Sequence, residues 1–517
     1  MRSIRYCCRS LPATAFLMVA VLAVAFPGWP SPLASEPEPP INIGSRLELL
    51  LGDALIDSMR DLEFELHSPR PAEQILTFDA PWEGVYCDYV TVFEDGGRYR
   101  MYYSSHLDAP RTFGGPNQLT SYAESRDGVH WTRPKLGMVE FDGSKANNII
   151  LRGETSHNFS PFIDGRPGVP ENERYKAVGG LRVPYVFASA DAIHWRRLRD
   201  DPILTPEHPA FEHHGVALWG KPIPRYAVFD SQNIAFWDDA RGHYAFYFRA
   251  WLPASEADRA EKGDIIRSIF RSTSLDFLNW SDPEPLDFGD APSEHLYTSA
   301  TIPYFRAPHL LLAFPMRYVT SRDPPVKALR RGFCDALFMF SRDGRRFSRR
   351  HAEAFIRPGP EPLNWTKHSI MPAWGLLQTA DDEISIYYSQ HYYAESNHLI
   401  RGVMRLDGFV SLRAPYAGGE FTTKPLVFSG NRLVINAATS AAGGIRCEIQ
   451  DADGKPLDGH RLQDAVVFYG DTTAHTFRWK GGTDIGSLEG KTVRLRVEMN
   501  DSDLYSLRFS SEEQQSP

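Results

Sequence analysis

Ser125-Arg126-Asp127-Gly128-Val129-His130-Trp131 returns three times along the chain, as Ser189 to Trp195, Ser274 to Trp280 and Ser341 to Phe347. Every copy keeps the form Ser-x-Asp-x-x-x-aromatic, and four copies with one internal spacing define a repeat. In each, the Ser ends a strand-like run: Leu119 to Glu124, Val186 to Ala188, Ser268 to Arg271 and Ala336 to Phe340. The Asp is placed to hold a turn by bonding its own backbone, and the aromatic begins the next strand. The copies recur roughly every 64 to 85 residues, the length of a four-stranded propeller blade with elaborated loops.

Each motif is preceded by two strands around a turn. These are Tyr89 to Phe93 with Tyr99 to Ser104, Ser160 to Ile163 with Tyr175 to Gly179, Ile234 to Trp237 with Tyr244 to Phe248, and Thr298 to Tyr304 with Leu310 to Pro315. A fifth unit begins at Met371 to Gln378, continues through Ile384 to Gln390 and ends at a degenerate Asp407-Gly408 turn. From about Phe409 the texture changes to short apolar or alternating runs: Thr422 to Phe428, Arg432 to Asn436, Ile445 to Gln450, His475 to Trp479, Val493 to Met499 and Leu504 to Phe509. The sequence therefore predicts an all-β chain, a five-bladed β-propeller over 47–406 followed by a β-sandwich over 407–511, with a disordered leader at 36–46 and a disordered tail at 512–517. Asp451-Ala452-Asp453-Gly454 starts like a calcium loop but lacks the later ligands, so it reads as a hairpin turn.

The chain's 517 residues leave room for this two-part plan, and its 12% aromatic content suits strands. A net charge of −9 with scattered Lys and Arg gives no basic field for nucleic acid. Arg2, Arg5 and Arg9 precede an apolar run from Ala13 to Phe26 that ends near Leu33-Ala34-Ser35, the pattern of a signal peptide over 1–35. The run is shorter than the ~20 residues of a membrane span, so the expectation is a secreted or periplasmic protein with no membrane association after signal removal. Cys87, Cys334 and Cys447 then remain, enough for one disulfide at most. His208, His213 and His214 beside Glu212 lack a known ligand spacing, and neither a metal nor a cofactor is expected.

The chemistry is read from Phe229-Asp230-Ser231-Gln232-Asn233, which leads into the apolar strand Ile234 to Trp237. An acidic residue at the mouth of such a strand is how an all-β scaffold aims a carboxylate into a central cavity. Asp88 before Tyr89 to Phe93, Asp164 after Pro161-Phe162-Ile163, and Glu294 in Glu294-His295-Leu296-Tyr297 hold related places.

The exported propeller with its C-terminal sandwich resembles the glycoside hydrolases of families 32 and 43, which place three carboxylates on the inner strands of separate blades. Asp88 with its inner strand, turn and Tyr99-Arg100-Met101-Tyr102-Tyr103 is similar to the first-blade pattern of family 32, although Tyr89-Val90-Thr91 stands where that family has Pro-Asn-Gly. Asp230 takes the place of the Asp in the family's Arg-Asp-Pro, and Glu294 that of its fourth-blade Glu. The resemblance implies Asp88 as nucleophile or base, Glu294 as general acid and Asp230 as support for the cationic sugar, with Asp164 as the alternative to Asp88. Arg317, His391, Gln232, Asn233, Trp82 and Trp374 are the side chains placed to line the funnel and hold a carbohydrate substrate. Three other readings stand on the same scaffold: a carbohydrate-binding propeller without chemistry, a sialidase, and a sugar phosphorylase.

Overall fold

The computed structural model describes residues 39–107, 117–211, 217–218, 221–222 and 228–511. The expected signal peptide, the tail and the Glu212, His213, His214 cluster lie outside the described residues.

From residue 70 to residue 406 the described strands form seven antiparallel sheets, which group into five successive blades and one separate hairpin, Ala217–Leu218 with Lys221–Pro222. Blade I holds Asp88–Glu94, Tyr99–His106, Gln118–Ser125 and Trp131–Thr132, with Ile149–Arg152 added to it. Blade II is built from Ser160–Ile163, Tyr175–Gly179, Tyr185–Ser189 and Arg196–Arg197, and blade III from Ile234–Asp238, His243–Pro253, Ile265–Ser274 and Glu284–Pro285. In blade IV, Ile302–Tyr304, Ala307–Ala313 and Met339–Ser341 make one sheet, while Met316–Val319 and Phe333–Ala336 make a separate hairpin. Blade V pairs Leu377–Ala380, Glu383–Gln390 and His398–Arg405, and its fourth strand is Arg70–Thr77 from the other end of the chain. That strand closes the ring, leaving the propeller without a free first or last blade.

The repeat motif does what its residue types suggest. Ser125 Oγ accepts the N–H groups of Asp127 and Gly128 at 3.2 and 2.9 Å, and Asp127 Oδ1 accepts those of Val129 and His130 at 2.8 Å. Ser189, Ser274 and Ser341 repeat the pattern, and the residue three after each Ser turns to positive φ, even where it is Phe277 at +68°. The side-chain bonds offset that strain and join the third strand of a blade to its fourth.

The sheet of the second domain is ten-stranded and dominated by two long strands, Arg432–Asp451 and Thr492–Ser510, which pair along almost their whole length. Their register breaks between Thr439 and Gly444, and Asp501 sits opposite at φ +41°. Ile445, Ile449 and Val497 from one side of this break share a single apolar core with Leu433, Leu504 and Phe509 from the other, so the sheet doubles over as a sandwich. Asp451 Oδ1 accepts the N–H groups of Asp453 and Lys455, making the Asp-Ala-Asp-Gly stretch a turn.

Two expected boundaries are corrected. The leader ends before Ile41, because Ile41–Gly44 pairs in parallel with Leu426–Phe428, and the apolar Ile41 and Ile43 drive that strand onto the sandwich core. Residues 47–66 also belong to the sandwich: Glu48–Leu49 pairs with Thr492–Ser510, Ile56–Arg60 with Gly419–Thr423, and Glu63–Leu66 with Val410–Ala414. The propeller therefore starts at Arg70, and blade V is completed by chain closure rather than at Asp407-Gly408. Cys87, Cys334 and Cys447 are buried free thiols. Among the described residues, no helix is long and apolar enough to cross a membrane.

Candidate active site in the propeller mouth

The segments leading into the five inner strands converge on one face of the ring. Asp88 and Tyr89 come from blade I, His157 and Asn158 from blade II, Asp230 and Ser231 from blade III, Tyr297 from blade IV and His368 from blade V. Tyr89, Asn158, His368 and Ile370 all adopt positive φ, between +50° and +70°. Ile370 is β-branched, so strain of this kind is concentrated where the backbone must turn each segment toward the axis.

Successive contacts link these residues around the whole ring. The Tyr89 ring meets His157 edge-on at 5.6 Å, and His157 Nε2 lies 3.2 Å from Asp230 Oδ1. Ser231 Oγ donates to the Tyr297 carbonyl, the Tyr297 ring packs 4.5 Å from His368, and His368 lies 5.3 Å from Tyr392. Tyr392 Oη returns to blade I, donating to Asp88 Oδ2 at 3.0 Å. Gln232 Nε2 donates to the Val90 carbonyl at 2.9 Å, and Trp374 exchanges backbone hydrogen bonds with Val90 and Val92 while its Nε1 donates to Thr301. Gln232 and Trp374 thus seal the floor beneath the mouth.

Asp230 is the centre of the charges. Its side chain is 32% exposed, so it meets solvent among buried neighbours. Burial pushes its carboxyl up, yet the His157 hydrogen bond and the charges of Arg249 and Lys367 outweigh that and hold it well below the usual carboxylate range. The imidazole of His157 is itself pushed below its ordinary value by burial. Gln118 Nε2 contacts His157 Nδ1, which leaves the Nε2–H for Asp230 and orients the ring. Burial raises the phenols of Tyr89, Tyr297 and Tyr392, which keeps them protonated as donors. Asp88 is 3% exposed; its Oδ2 is held by Tyr392, its Oδ1 has no hydrogen-bond partner, and His106 Nε2 stands 3.7 Å from Oδ1.

The other sequence candidates lie elsewhere or serve the scaffold. Both oxygens of Glu294 are taken by guanidinium groups, Oε1 by Arg317 at 2.9 Å and Oε2 by Arg349, and Arg317 also grips Asp335. Glu294 and Arg317 are thereby committed to an ion-pair network at the Met316–Val319 and Phe333–Ala336 hairpin of blade IV. Asp164 sits at the far end of its inner strand, bonded to Lys176 at 2.8 Å and Tyr244 at 2.6 Å. Asn233 pins the Phe229 carbonyl, Trp82 donates to Asn148, and His391 bonds Glu361 and Ser396.

Sequence reading missed His157, Tyr297, His368, Arg249, Arg267 and Lys367. His157-Asn158 stands before Ser160–Ile163 much as Asp230-Ser231 stands before Ile234–Asp238, and that equivalence of position was the available signal. Arg249 was signalled as a lone arginine inside the largely apolar strand His243–Pro253; Arg267 shares Ile265–Ser274 with Arg271 and several hydroxyl residues and carried no such signal.

No family model matches the chain. Two uncharacterized proteins of Mycobacterium tuberculosis, from strains H37Rv and CDC 1551, are each 34% identical to it over 113 residues, covering 22% of this chain and 34% of theirs. The chain thus spans about a third of the length of the curated relatives it matches. Similar solved structures include a glycoside hydrolase, 15% identical over 68% of this chain and 95% of that one, with a TM-score of 0.44. A family 43 arabinoxylan arabinofuranohydrolase from Bacillus subtilis, solved with cellotetraose, is 13% identical over 86% and 99%, with a TM-score of 0.40. The catalytic domain of a family 62 α-L-arabinofuranosidase from Coprinopsis cinerea is 11% identical over 66% and 97%, with a TM-score of 0.38.

Proposed function

We propose that this chain is an exported enzyme that cleaves glycosidic bonds in the propeller mouth. The observation that carries the reading is the pair of carboxylates, Asp88 and Asp230, set on blades I and III of one closed ring of contacts with His157 and His106 between them. Glycoside cleavage passes through an oxocarbenium-like transition state, which needs one carboxylate kept ionised and another group able to deliver a proton. Asp230 meets the first need, because its cationic neighbours keep it charged while it still reaches solvent. Asp88 is assigned the second role from its place: it stands across His106 and His157 from Asp230, and Tyr392 fixes its carboxyl through Oδ2 while Oδ1 is left without a hydrogen bond. The proton donor is thereby moved from Glu294 to Asp88, since Glu294 is occupied by two arginines.

The full chain should be screened on fructans, arabinans, xylans and sulfated polysaccharides, with reducing-sugar release and binding measured together. Release that disappears in Asp230→Asn and Asp88→Asn supports the reading. Binding without release by the parent protein replaces it with a carbohydrate-binding propeller.

A further inference from the structure

Three cations gather at one ring in the mouth. The charged groups of Arg249, Arg267 and Lys367 lie 4.9, 5.7 and 5.9 Å from the centroid of Tyr297. Arg249 and Arg267 come from adjacent strands of blade III, His243–Pro253 and Ile265–Ser274, in the part that overhangs the short inner strand. Lys367 comes from the segment that enters blade V. The two arginines are 4% and 6% exposed.

Among the described residues, one carboxylate stands at ion-pair distance from any of the three. Asp230 Oδ2 lies 3.9 Å from Arg249. Neither Arg267 nor Lys367 has a carboxylate within ion-pair distance among the described residues. Arg267 Nε has no hydrogen-bond partner, and its Nη1 reaches only His295 Nδ1 at 3.4 Å. His295 is pushed down to about 4 by burial and by Arg267, so it supplies no charge that would repel an anion near neutral pH. Stacking on Tyr297, Trp251 and Tyr318 returns less than removing each ion from water costs. The strain registers on the groups themselves: burial and neighbouring positive charge push Lys367 down to about 8 and Arg267 down to about 10. Arg267 and Lys367 thus face no balancing carboxylate among the described residues, and the aromatic faces beneath them suit a sugar.

We propose that Arg267 and Lys367, with Arg249, form a subsite for an oxyanion carried by the sugar substrate, a uronate carboxylate or a sulfate ester. The subsite lies beside Asp230 and so deepens the glycosidase reading on which it rests, narrowing the substrate class to acidic glycans. A free phosphate offers the same oxyanion chemistry from another source, and the experiment separates the two.

The test is calorimetric titration of the full chain with galacturonate, glucuronate, galactose 6-sulfate and inorganic phosphate, against neutral galactose and glucose. The expected result is at least tenfold tighter binding of a sugar anion than of its neutral parent. That preference should fall at least tenfold in Lys367→Met and Arg267→Met, with melting temperature recorded for each. Lys367 is half-buried on a connecting segment, so Lys367→Met decides the matter if Arg267→Met fails to fold. No preference for any anion, or a preference unchanged in Lys367→Met, overturns the proposal. Binding of phosphate alone overturns the sugar-borne assignment. If a neutral glycan is cleaved in an Asp230-dependent way while no anion is preferred, the glycosidase reading stands and the subsite falls. If sugar anions bind through Lys367 but no glycan of either kind is cleaved, the subsite stands and the glycosidase reading falls.

Discussion

Replacing Asp230 by Asn separates chemistry from scaffold, because Asn keeps an oxygen for the His157 Nε2–H and loses only the charge. The magnitude follows from the distances in the mouth. At an effective dielectric of about 20, two unit charges about 4 Å apart interact by about 4 kcal/mol. A sugar cation forming at that range from Asp230 is stabilised by a similar amount, and its loss corresponds to about 10³-fold in rate. The same change removes one partner of Arg249 at 3.9 Å, but Asp230 is 32% exposed, so solvent screens that pair and the stability cost falls to about 1 kcal/mol. The assay is kcat on a responsive glycan, with urea unfolding of each variant alongside. Glu294→Gln is the matched control: it leaves Arg349, whose side chain is 3% exposed, without its carboxylate, and should lower stability while changing kcat by less than about threefold. A folded Asp230→Asn protein retaining kcat within tenfold of the parent, or Glu294→Gln losing activity at unchanged stability, would refute the assignment.

Three further outcomes are expected. Asp88→Asn should slow natural glycans by about 10²-fold or more but spare 4-nitrophenyl glycosides, whose leaving group needs little protonation; equal losses on both would remove Asp88 from the acid role. Ser274→Ala, which deletes the acceptor for the Asp276 and Phe277 N–H groups, should cost about 1–2 kcal/mol in urea unfolding without altering KM. Lys367 has its folded value lowered to about 8 from 10.5, so above 8 the folded protein sheds a proton that the unfolded chain still holds. Its contribution to the stability of the ligand-free protein should therefore rise between about pH 8 and 10.5, a gain that Lys367→Met abolishes in pH-dependent unfolding.

The blades were legible because the repeat is local: Ser, Asp and aromatic act within seven residues, and their hydrogen bonds depend on nothing distant. Asp230 was legible for the same reason, standing beside a strand of clear apolar character. The closing strand was not, since Arg70–Thr77 has an irregular pattern of exposure and its partner His398–Arg405 lies more than 300 residues away. Glu294 misled because sequence shows where a carboxylate stands along a blade and not which guanidinium groups reach it. The cationic cluster was hidden likewise: Arg249, Arg267 and Lys367 meet only when blades III and V face one axis.

The closing strand also bears on how the molecule is made. Arg70–Thr77 leaves the ribosome before any blade exists and waits for His398–Arg405, while Ile41–Gly44 and Glu48–Leu49 wait for Leu426–Phe428 and Thr492–Ser510. Contacts of such sequence separation form late, after the entropy of closing a very long loop has been met. Residues as far along as Thr492–Ser510 must be present before Ile41–Gly44, Glu48–Leu49 and Arg70–Thr77 are all secured, so the propeller and the sandwich mature together. Cutting the chain near residue 406 would strand unpaired edges in both pieces and split the apolar cluster in which Leu49 and Val410 pack with Phe314 and Tyr388, which makes the two domains one folding unit.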